Sequence, residues 1–256
     1  MITEYPLTKA NRIRLARVFK DVPRVDLSIT CVLEGQMGQA FVDDVHHPTV
    51  FKIQAGPFFY LAGDASSPGA SELLEHITPY TLLMPSSPGW LDAARQVCGE
   101  QLVPFERYSF SSHTLSLQQI EPLCQVAPFA HQVQQMDSDF STQLWGQEHF
   151  VDLSYFDSPE DFCQRGIGFY LTLHHTVVGA AYSQLVCSHG IEVSLFVLPE
   201  YRRQGIATVL ASRLVKWCLE NRQTAHWDAA NQESCQLAKK LGYLPTGTYQ
   251  AYYLKV

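Results

Sequence analysis

Residues Glu192 to Leu210, EVSLFVLPEYRRQGIATVL, constrain the fold more than any other stretch of this 256-residue chain. Val193 to Leu198 is almost wholly apolar, with β-branched and aromatic members, the composition of a strand buried on both faces. Pro199 ends it. Ile206, Val209, Leu210, Leu214 and Trp217 then recur at helical spacing, so a helix starts at about Gly205.

The first turn of a helix carries unpaired N–H groups and the positive end of the macrodipole, so a phosphate sits there without a dedicated side chain. Gly205 and Ala207 let it come close, and Arg202 and Arg203 add charge-assisted donors. The same residues also suit a surface turn with two solvated arginines.

Arg202-x-x-Gly205-x-Ala207, after Pro199-Glu200-Tyr201, resembles the acyl-CoA-binding motif of the GNAT superfamily of N-acetyltransferases. A second match lies one helix and one strand downstream: Asn231-x-x-Ser234, then Leu237 and Leu241-Gly242-Tyr243. The resemblance covers roughly Thr114 to Val256. It implies an α/β (α+β) GNAT fold with a mixed central sheet, acetyl-CoA as cofactor and CoA as product. It also implies direct transfer of the acetyl group to an amine. Leu195, Phe196 and Val197 match the residues along the pantetheine arm. Arg203, Gln204, Gly205, Ile206, Ala207 and Thr208 match the pyrophosphate turn, with Arg202 opening the motif. Asn231 matches the residue on the arm's far side, with Ser234 in the same motif. Trp227 to Tyr243 is similar to a subgroup that includes zwittermicin-resistance-type acetyltransferases, which points to a small amine-bearing metabolite or antibiotic as acceptor.

An alkylammonium, with a reference pKa of about 10, has no lone pair at neutral pH, so a base must take its proton. Glu192 is the first candidate, since a buried strand glutamate has a raised pKa and suits a base. It suits equally the exposed start of a strand after His189-Gly190. Asp228 is second, and it also suits pairing with His226 or capping the next helix. Many family members place a tyrosine seven residues after the motif asparagine to protonate the leaving thiolate; that position is Ala238. Tyr252 is the substitute carried forward, with Tyr249, Tyr253 and solvent as alternatives; all three tyrosines also suit ordinary half-buried strand positions. A non-catalytic acyl-CoA-binding module and a protein or peptide acetyltransferase are the rival readings.

The length is comfortable for two units. In the amino-terminal part a helix is expected over Thr8–Lys20, and strands over Asp26–Leu33, Gln39–Val42 and Val50–Leu61. A helix at Ser71–Ile77, a strand at Tyr80–Met84, a helix at Gly89–Cys98 and a strand at Leu102–Phe110 follow. That order repeats the second half of a GNAT core, so residues 1–112 are expected to be a degenerate GNAT-like unit and residues 113–256 the acetyltransferase domain. Where the phosphate turn belongs, the first unit has Gly63 to Gly69, acidic and without arginine, which should repel a pyrophosphate. The second unit is expected to hold a strand at Thr114–Gln119, helices at Leu123–Gln135 and Phe140–Phe150, and a hairpin of Gly166–His174 with Val177–Val186. A strand at Ala225–Ala229, a helix at Asn231–Leu241 and a last strand at Tyr243–Leu254 complete it.

A formal charge of −7 argues against nucleic-acid or anionic-membrane partners. Seven scattered cysteines without a Cys-x-x-Cys pair suggest a reducing compartment and no metal site, and the pairs His46-His47 and His174-His175 lack a third ligand. Cys235, Trp217 and Trp227 read as packing residues. Met1 to Leu15 lacks a signal peptide's apolar core and no apolar run is long enough to span a bilayer, so a cytoplasmic protein is expected. The oligomeric state is open.

Overall fold

The computed structural model describes residues 1–22, 27–75, 77, 81–145 and 151–255. The chain forms two compact units, Met1–Arg107 with Thr248–Val256, and Tyr108–Gly247. The last nine residues thus group with the first unit, where a boundary at 112/113 had assigned them to the second.

The first unit contains β1 (Thr3–Glu4), α1 (Lys9–Val18), α2 (Ser28–Leu33), β2 (Gln39–Val42), β3 (Val50–Ala55), β4 (Phe58–Gly63), α3 (Pro68–Glu75), β5 (Leu82–Pro85), α4 (Pro88–Cys98) and β6 (Leu102–Ser111), whose end belongs to the second unit. The expected strand Val50–Leu61 is a hairpin, because Gly56, at φ 54°, and Pro57 break it into β3 and β4. The stretch read as a strand from Asp26 is helical from Ser28, and Asp26 itself lies outside the described residues. Ser28, Ile29, Cys31 and Val32 are all buried, so tertiary packing overrides the strand propensity of Ile, Thr and Val. Val50, Leu61, Leu73, Leu83 and Trp90 form one core on this unit's sheet.

The second unit contains α5 (Leu117–Leu123), β7 (Gln134–Gln135), α6 (Ser138–Leu144), α7 (Pro159–Arg165), β8 (Gly168–Leu173), β9 (Thr176–Cys187), β10 (Gly190–Val197), α8 (Ile206–Glu220), β11 (Thr224–His226), β12 (Asp228–Ala229) and α9 (Gln232–Leu241). Its sheet runs β11-β10-β9-β8-β7, antiparallel except for the parallel pair β10 and β11. His174 and His175, at φ 49° and 64°, close the β8–β9 hairpin in a turn with both central residues at positive φ. Thr114–Gln119, read as a strand, is instead a turn running into α5. Ser116 takes the N-cap position and its Oγ donates to Gln119 Oε1 at 3.1 Å, a local pairing that the alternation of Leu115 and Leu117 hid. The helix expected over Leu123–Gln135 is absent. Pro122 sits in the last turn of α5, and Pro128 is followed by a short 3-10 turn at Ala130–Gln132 and then β7. The helix expected over Phe140–Phe150 is α6, ending at Leu144; residues 146–150 of that expectation lie outside the described residues.

Helix α8 packs on β8, β9, β10 and β11. Its buried face is Ile206, Val209, Leu210, Leu214 and Cys218, and each fully buried leucine contributes about 2 kcal/mol. Trp217, read as a core residue, is only half-buried on this helix, whereas Trp227 is buried. The final strand, β13 (Leu244–Leu254), completes the first unit's sheet in the order β1-β2-β3-β4-β5-β13-β6. Among the described residues no helix is long and apolar enough to cross a membrane.

Candidate active site

Strand β10 is paired with β9 along its whole length, but with β11 only through Gly190–Thr224, Ile191–Ala225 and Glu192–His226. Beyond His226 the chain turns away, and β12 pairs instead with Ser109 and Tyr108 of β6. Among the described residues, no strand pairs with the β11 side of β10 from Val193 onward. Burial follows the same break: Gly190 to Glu192 are buried, and Val193 to Phe196 are half-buried. On the other side the register slips at the same place, since Glu192 faces Leu185 and Val193 faces Ser183. Gln184 is the extra residue, a β-bulge that increases the local twist. Leu195, Phe196 and Val197 thus lie along a half-open strand end.

The strand leads into the turn Pro199–Gly205. Pro199–Tyr201 is a short 3-10 turn, Arg202 Nε donates to the Val197 carbonyl at 3.1 Å, and Gln204 Nε2 donates to the Glu200 carbonyl at 3.4 Å. Arg203 has φ 63°, a left-handed conformation that a non-glycine residue adopts at a cost of about 1–2 kcal/mol. Gly205, at φ 83°, is the N-cap of α8 and has no side chain to offer the first turn. Helices α4, α6, α7 and α9 are capped by Ser87, Asp137, Ser158 and Asn231. The first N–H groups of α8, at Ile206, Ala207 and Thr208, are left for a ligand or water.

A residue that no motif signalled stands beside this turn. Lys240, near the end of α9, donates from Nζ to Thr208 Oγ1 at 3.2 Å. An ammonium at the positive end of a helix is unfavourably placed unless an anion joins it. Arg202, Arg203 and Lys240 all bring positive charge to one uncapped helix start. Only the packing of α9 against α8 brings Lys240 there, which explains its silence in the sequence.

Glu192 is 3% exposed, so of its two readings the structure has the buried one. Tyr243 is buried beside it and its hydroxyl donates to the Ala225 carbonyl at 3.0 Å. Burial, reinforced by Cys218 and Glu192, pushes this phenol well above its ordinary pKa. Asp228 is half-buried on β12. Ala238 is fully buried in α9, where a tyrosine ring has no room. Tyr252 belongs to the first unit, where it lies opposite Leu83 and packs in the core with Trp90. The structure therefore does not bring Tyr252 into the same compact unit as Glu192. Asn231 Oδ1 accepts from the Ser234 N–H at 2.9 Å, and Ser234 Oγ accepts from Trp227 Nε1 at 3.1 Å. Both motif side chains thus have structural partners. Among the described residues, no group of three or more His, Cys, Asp or Glu is arranged to hold a metal ion.

The family model of the GNAT acetyltransferases matches residues 17–252, and so extends over both compact units. A Bacillus subtilis (strain 168) protein, the uncharacterized N-acetyltransferase YdfB, is 26% identical over 230 residues, 84% of this chain and 85% of that one. The crystal structure of a GCN5-related N-acetyltransferase-like protein from Streptococcus suis 89/1591 is 30% identical, with a TM-score of 0.84 over 97% of this chain and 100% of that one. A tandem GNAT protein from the clavulanic acid biosynthesis pathway, solved without AcCoA, is similar in fold alone, with a TM-score of 0.52 and 11% identity over 99% of this chain and 96% of that one. Open strand, uncapped helix start and a match over nearly the whole length agree, and the chain belongs to the GNAT acetyltransferase family.

Proposed function

We propose that this protein moves an acetyl group from acetyl-CoA directly to the amine of a small molecule. The observation that carries the reading is the open side of β10 from Val193, leading straight into the uncapped start of α8. The donors present fit the cofactor: N–H groups of Ile206, Ala207 and Thr208 with Arg202, Arg203 and Lys240 suit a diphosphate, and the strand edge at Leu195–Val197 suits the amide-bearing pantetheine arm. When bound, acetyl-CoA supplies a thioester carbonyl: a C–N bond forms, the C–S bond breaks and the thiolate leaves.

Glu192 takes a proton from the acceptor's ammonium, which frees the lone pair for attack. Its burial beside Tyr243 keeps bulk water from competing for that proton. With Ala238 where a tyrosine acid would stand, protonation of the leaving thiolate falls to solvent, as a thiolate of pKa about 8.5 permits. Tyr252 is assigned to packing. A small-molecule amine acceptor agrees with the similarity of Trp227 to Tyr243 to the zwittermicin-resistance-type enzymes.

The amino-terminal part is a degenerate GNAT-like unit in this reading. Its order β2, β3, β4, α3, β5, α4, β6 parallels that from β8 onward, and β4 and β5 occupy the places of β10 and β11. There the parallel pair stays closed through Phe58–Leu82 to Leu61–Pro85, and Ser86 N donates to the Leu61 carbonyl at 3.1 Å.

The test is titration calorimetry with acetyl-CoA, followed by CoA release across a panel of amines for wild type and Glu192→Gln. Binding of acetyl-CoA by both proteins is expected, with turnover that collapses in Glu192→Gln. Tight binding with no turnover on any amine would leave an acyl-CoA-binding module, and acetylated lysines in a treated lysate, with small amines untouched, would make the acceptor a protein.

A further inference from the structure

A base that is 3% exposed has to return its proton to solvent before every new turnover, and in the reading above the cofactor and acceptor cover the open side of β10. We infer that His226 and His189 form the path by which this proton leaves; the inference rests on Glu192 being the base.

Glu192 and His226 are register partners on adjacent parallel strands, so their side chains leave the same face of the sheet about 5 Å apart. Gly190, two residues before Glu192, shares that face. A Cβ at Gly190 would lie 3.2 Å from Cδ2 of His226, so the glycine makes room for the imidazole. His226 in turn meets His189 edge to face, with ring centroids 5.9 Å apart and planes at 78°. His189 is exposed in the β9–β10 turn, with Nδ1 3.4 Å from Cys187 Sγ. A carboxylate, a half-buried imidazole and an exposed imidazole thus run in a row from the interior to water.

The other groups around Glu192 serve this purpose poorly. Leu185 faces it from β9 and carries no proton. Tyr243 commits its hydroxyl hydrogen to the Ala225 carbonyl, and Cys218, beside that phenol, is buried in α8. Imidazole accepts on one nitrogen and donates from the other, and it ordinarily changes charge near neutral pH. The proton balance closes: the ammonium gives one proton to the Glu192 carboxylate, the carboxylic acid passes it to His226, and the imidazolium releases it through His189 to water, while the second proton, shed by the nitrogen once the C–N bond has formed, goes to solvent and is offset by the one the thiolate takes up. Glu192 is then again a carboxylate and both histidines are neutral. His226 and His189 act through Glu192 and touch neither substrate.

The test has two arms. In the first, the ring nitrogens of nitrogen-labelled histidine are observed by NMR at one neutral pH in wild type and in Glu192→Gln without any acceptor. The His226 ring-nitrogen signals are expected to change when the carboxylate is replaced, because a carboxylate within reach selects which ring nitrogen carries the proton. Unchanged His226 signals would overturn the relay. In the second, turnover is measured with the fastest amine among spermidine, tryptamine and kanamycin for His226→Gln and His189→Gln. A fall in kcat of about tenfold or more for His226→Gln, with unchanged KM for acetyl-CoA and partial rescue by added imidazole, is expected. His189→Gln alters an exposed turn residue, so its smaller, imidazole-rescued fall is read in a protein whose core is untouched. If Glu192→Gln keeps wild-type turnover, the base reading itself fails. If Glu192→Gln is inactive while both histidine variants keep wild-type kcat and pH profile, the relay alone is wrong.

Discussion

Glu192 and His226 are the last register pair between β10 and β11, and everything the site offers begins one residue beyond them. Up to that pair the parallel strands seal each other. After it, β10 continues toward the α8 turn while the chain after His226 pairs with β6. One divergence therefore opens a strand edge, leaves Glu192 at its inner end and aims the edge at a helix start without a cap.

Gly205 carries the clearest prediction. At φ 83° any L-residue is strained by about 1 kcal/mol, and an added Cβ would lie 3.2 Å from Ala127 Cβ. Gly205→Ala should lower stability by about 1 kcal/mol and weaken CoA binding, and Gly205→Trp should abolish binding. Calorimetry paired with thermal melts reads both effects. A folded Gly205→Trp variant that binds CoA normally would remove this turn from the site.

Lys240 gives a second, charge-based prediction. Lys240→Met should weaken CoA roughly tenfold, about 1.4 kcal/mol, through the loss of one charge-assisted contact. Salt should weaken the variant's binding less steeply than the wild type's. Lys239→Met, which removes an exposed neighbour with the same charge, is the control. Equal losses in both variants would mean a general field effect and no specific contact at Thr208.

How far the chain could be read in advance depended on whether a signal was local. The strand, turn and helix from Val193 to Leu210 were legible because apolar runs, Pro199 and Gly205 each act within a few residues. Gly242 was likewise legible as a helix terminator, and it has φ 104°. Lys240 was not, because its meaning comes from Thr208, 32 residues earlier. SITCVL misled because its β-branched residues are buried by a helix, and Thr114–Gln119 misled because two alternating leucines imitated a strand where Ser116 starts a helix. The short pairing of β11 with β10 also had no local signal, since Ala225–Ala229 reads as one strand and is divided between two partners.

Asn231 allows a cap role to be separated from a cofactor role. Its Oδ1 accepts from the Ser234 N–H, so Asn231→Ala should lower stability by about 1 kcal/mol in urea unfolding. Asn231→Asp keeps the acceptor and should restore that stability. If Asn231→Asp is as stable as wild type but binds CoA more weakly, the side-chain amide also reaches the arm; equal affinity would leave Asn231 as a cap alone.

Cys218 and Tyr243 are among the buried acids that shape the alkaline behaviour. Burial pushes the Cys218 thiol up to about 12, and the Tyr243 phenol well above its ordinary value. Below the ordinary thiol value of 9.0 both folded and unfolded chains hold these protons, so their contribution is constant. Above it the unfolded chain releases a proton that the folded chain retains, and stability falls as pH rises. Urea midpoints should therefore decline from about pH 9 upward, and Cys218→Ala should flatten the first part of that decline. A thiol reagent at neutral pH should label exposed Cys163 quickly and Cys218 only after unfolding. Rapid labelling of Cys218 in the folded protein would contradict its burial.

The two units predict different binding behaviour, and the stoichiometry reads it. In the first unit β4 and β5 pair in parallel from Phe58–Leu82 to Leu61–Pro85, and under the proposed reading of this unit as degenerate that closed pair offers no edge to a pantetheine arm. The turn after β4 is also occupied. Trp90 Nε1 donates to the Gly63 carbonyl at 3.1 Å, Asp64 Oδ1 accepts from Ser66 N–H and Oγ–H, and Ser67 Oγ accepts from the Gly69 N–H at the start of α3. Where α8 leaves its first donors open and gathers three cations, α3 supplies its own acceptor and a carboxylate that repels phosphate. One molecule of CoA per chain is expected by calorimetry and by equilibrium dialysis, and Gly205→Trp should bring that number to zero. A stoichiometry of two in the wild type, falling to one in the variant, would mean that the closed β4–β5 pair opens to admit ligand.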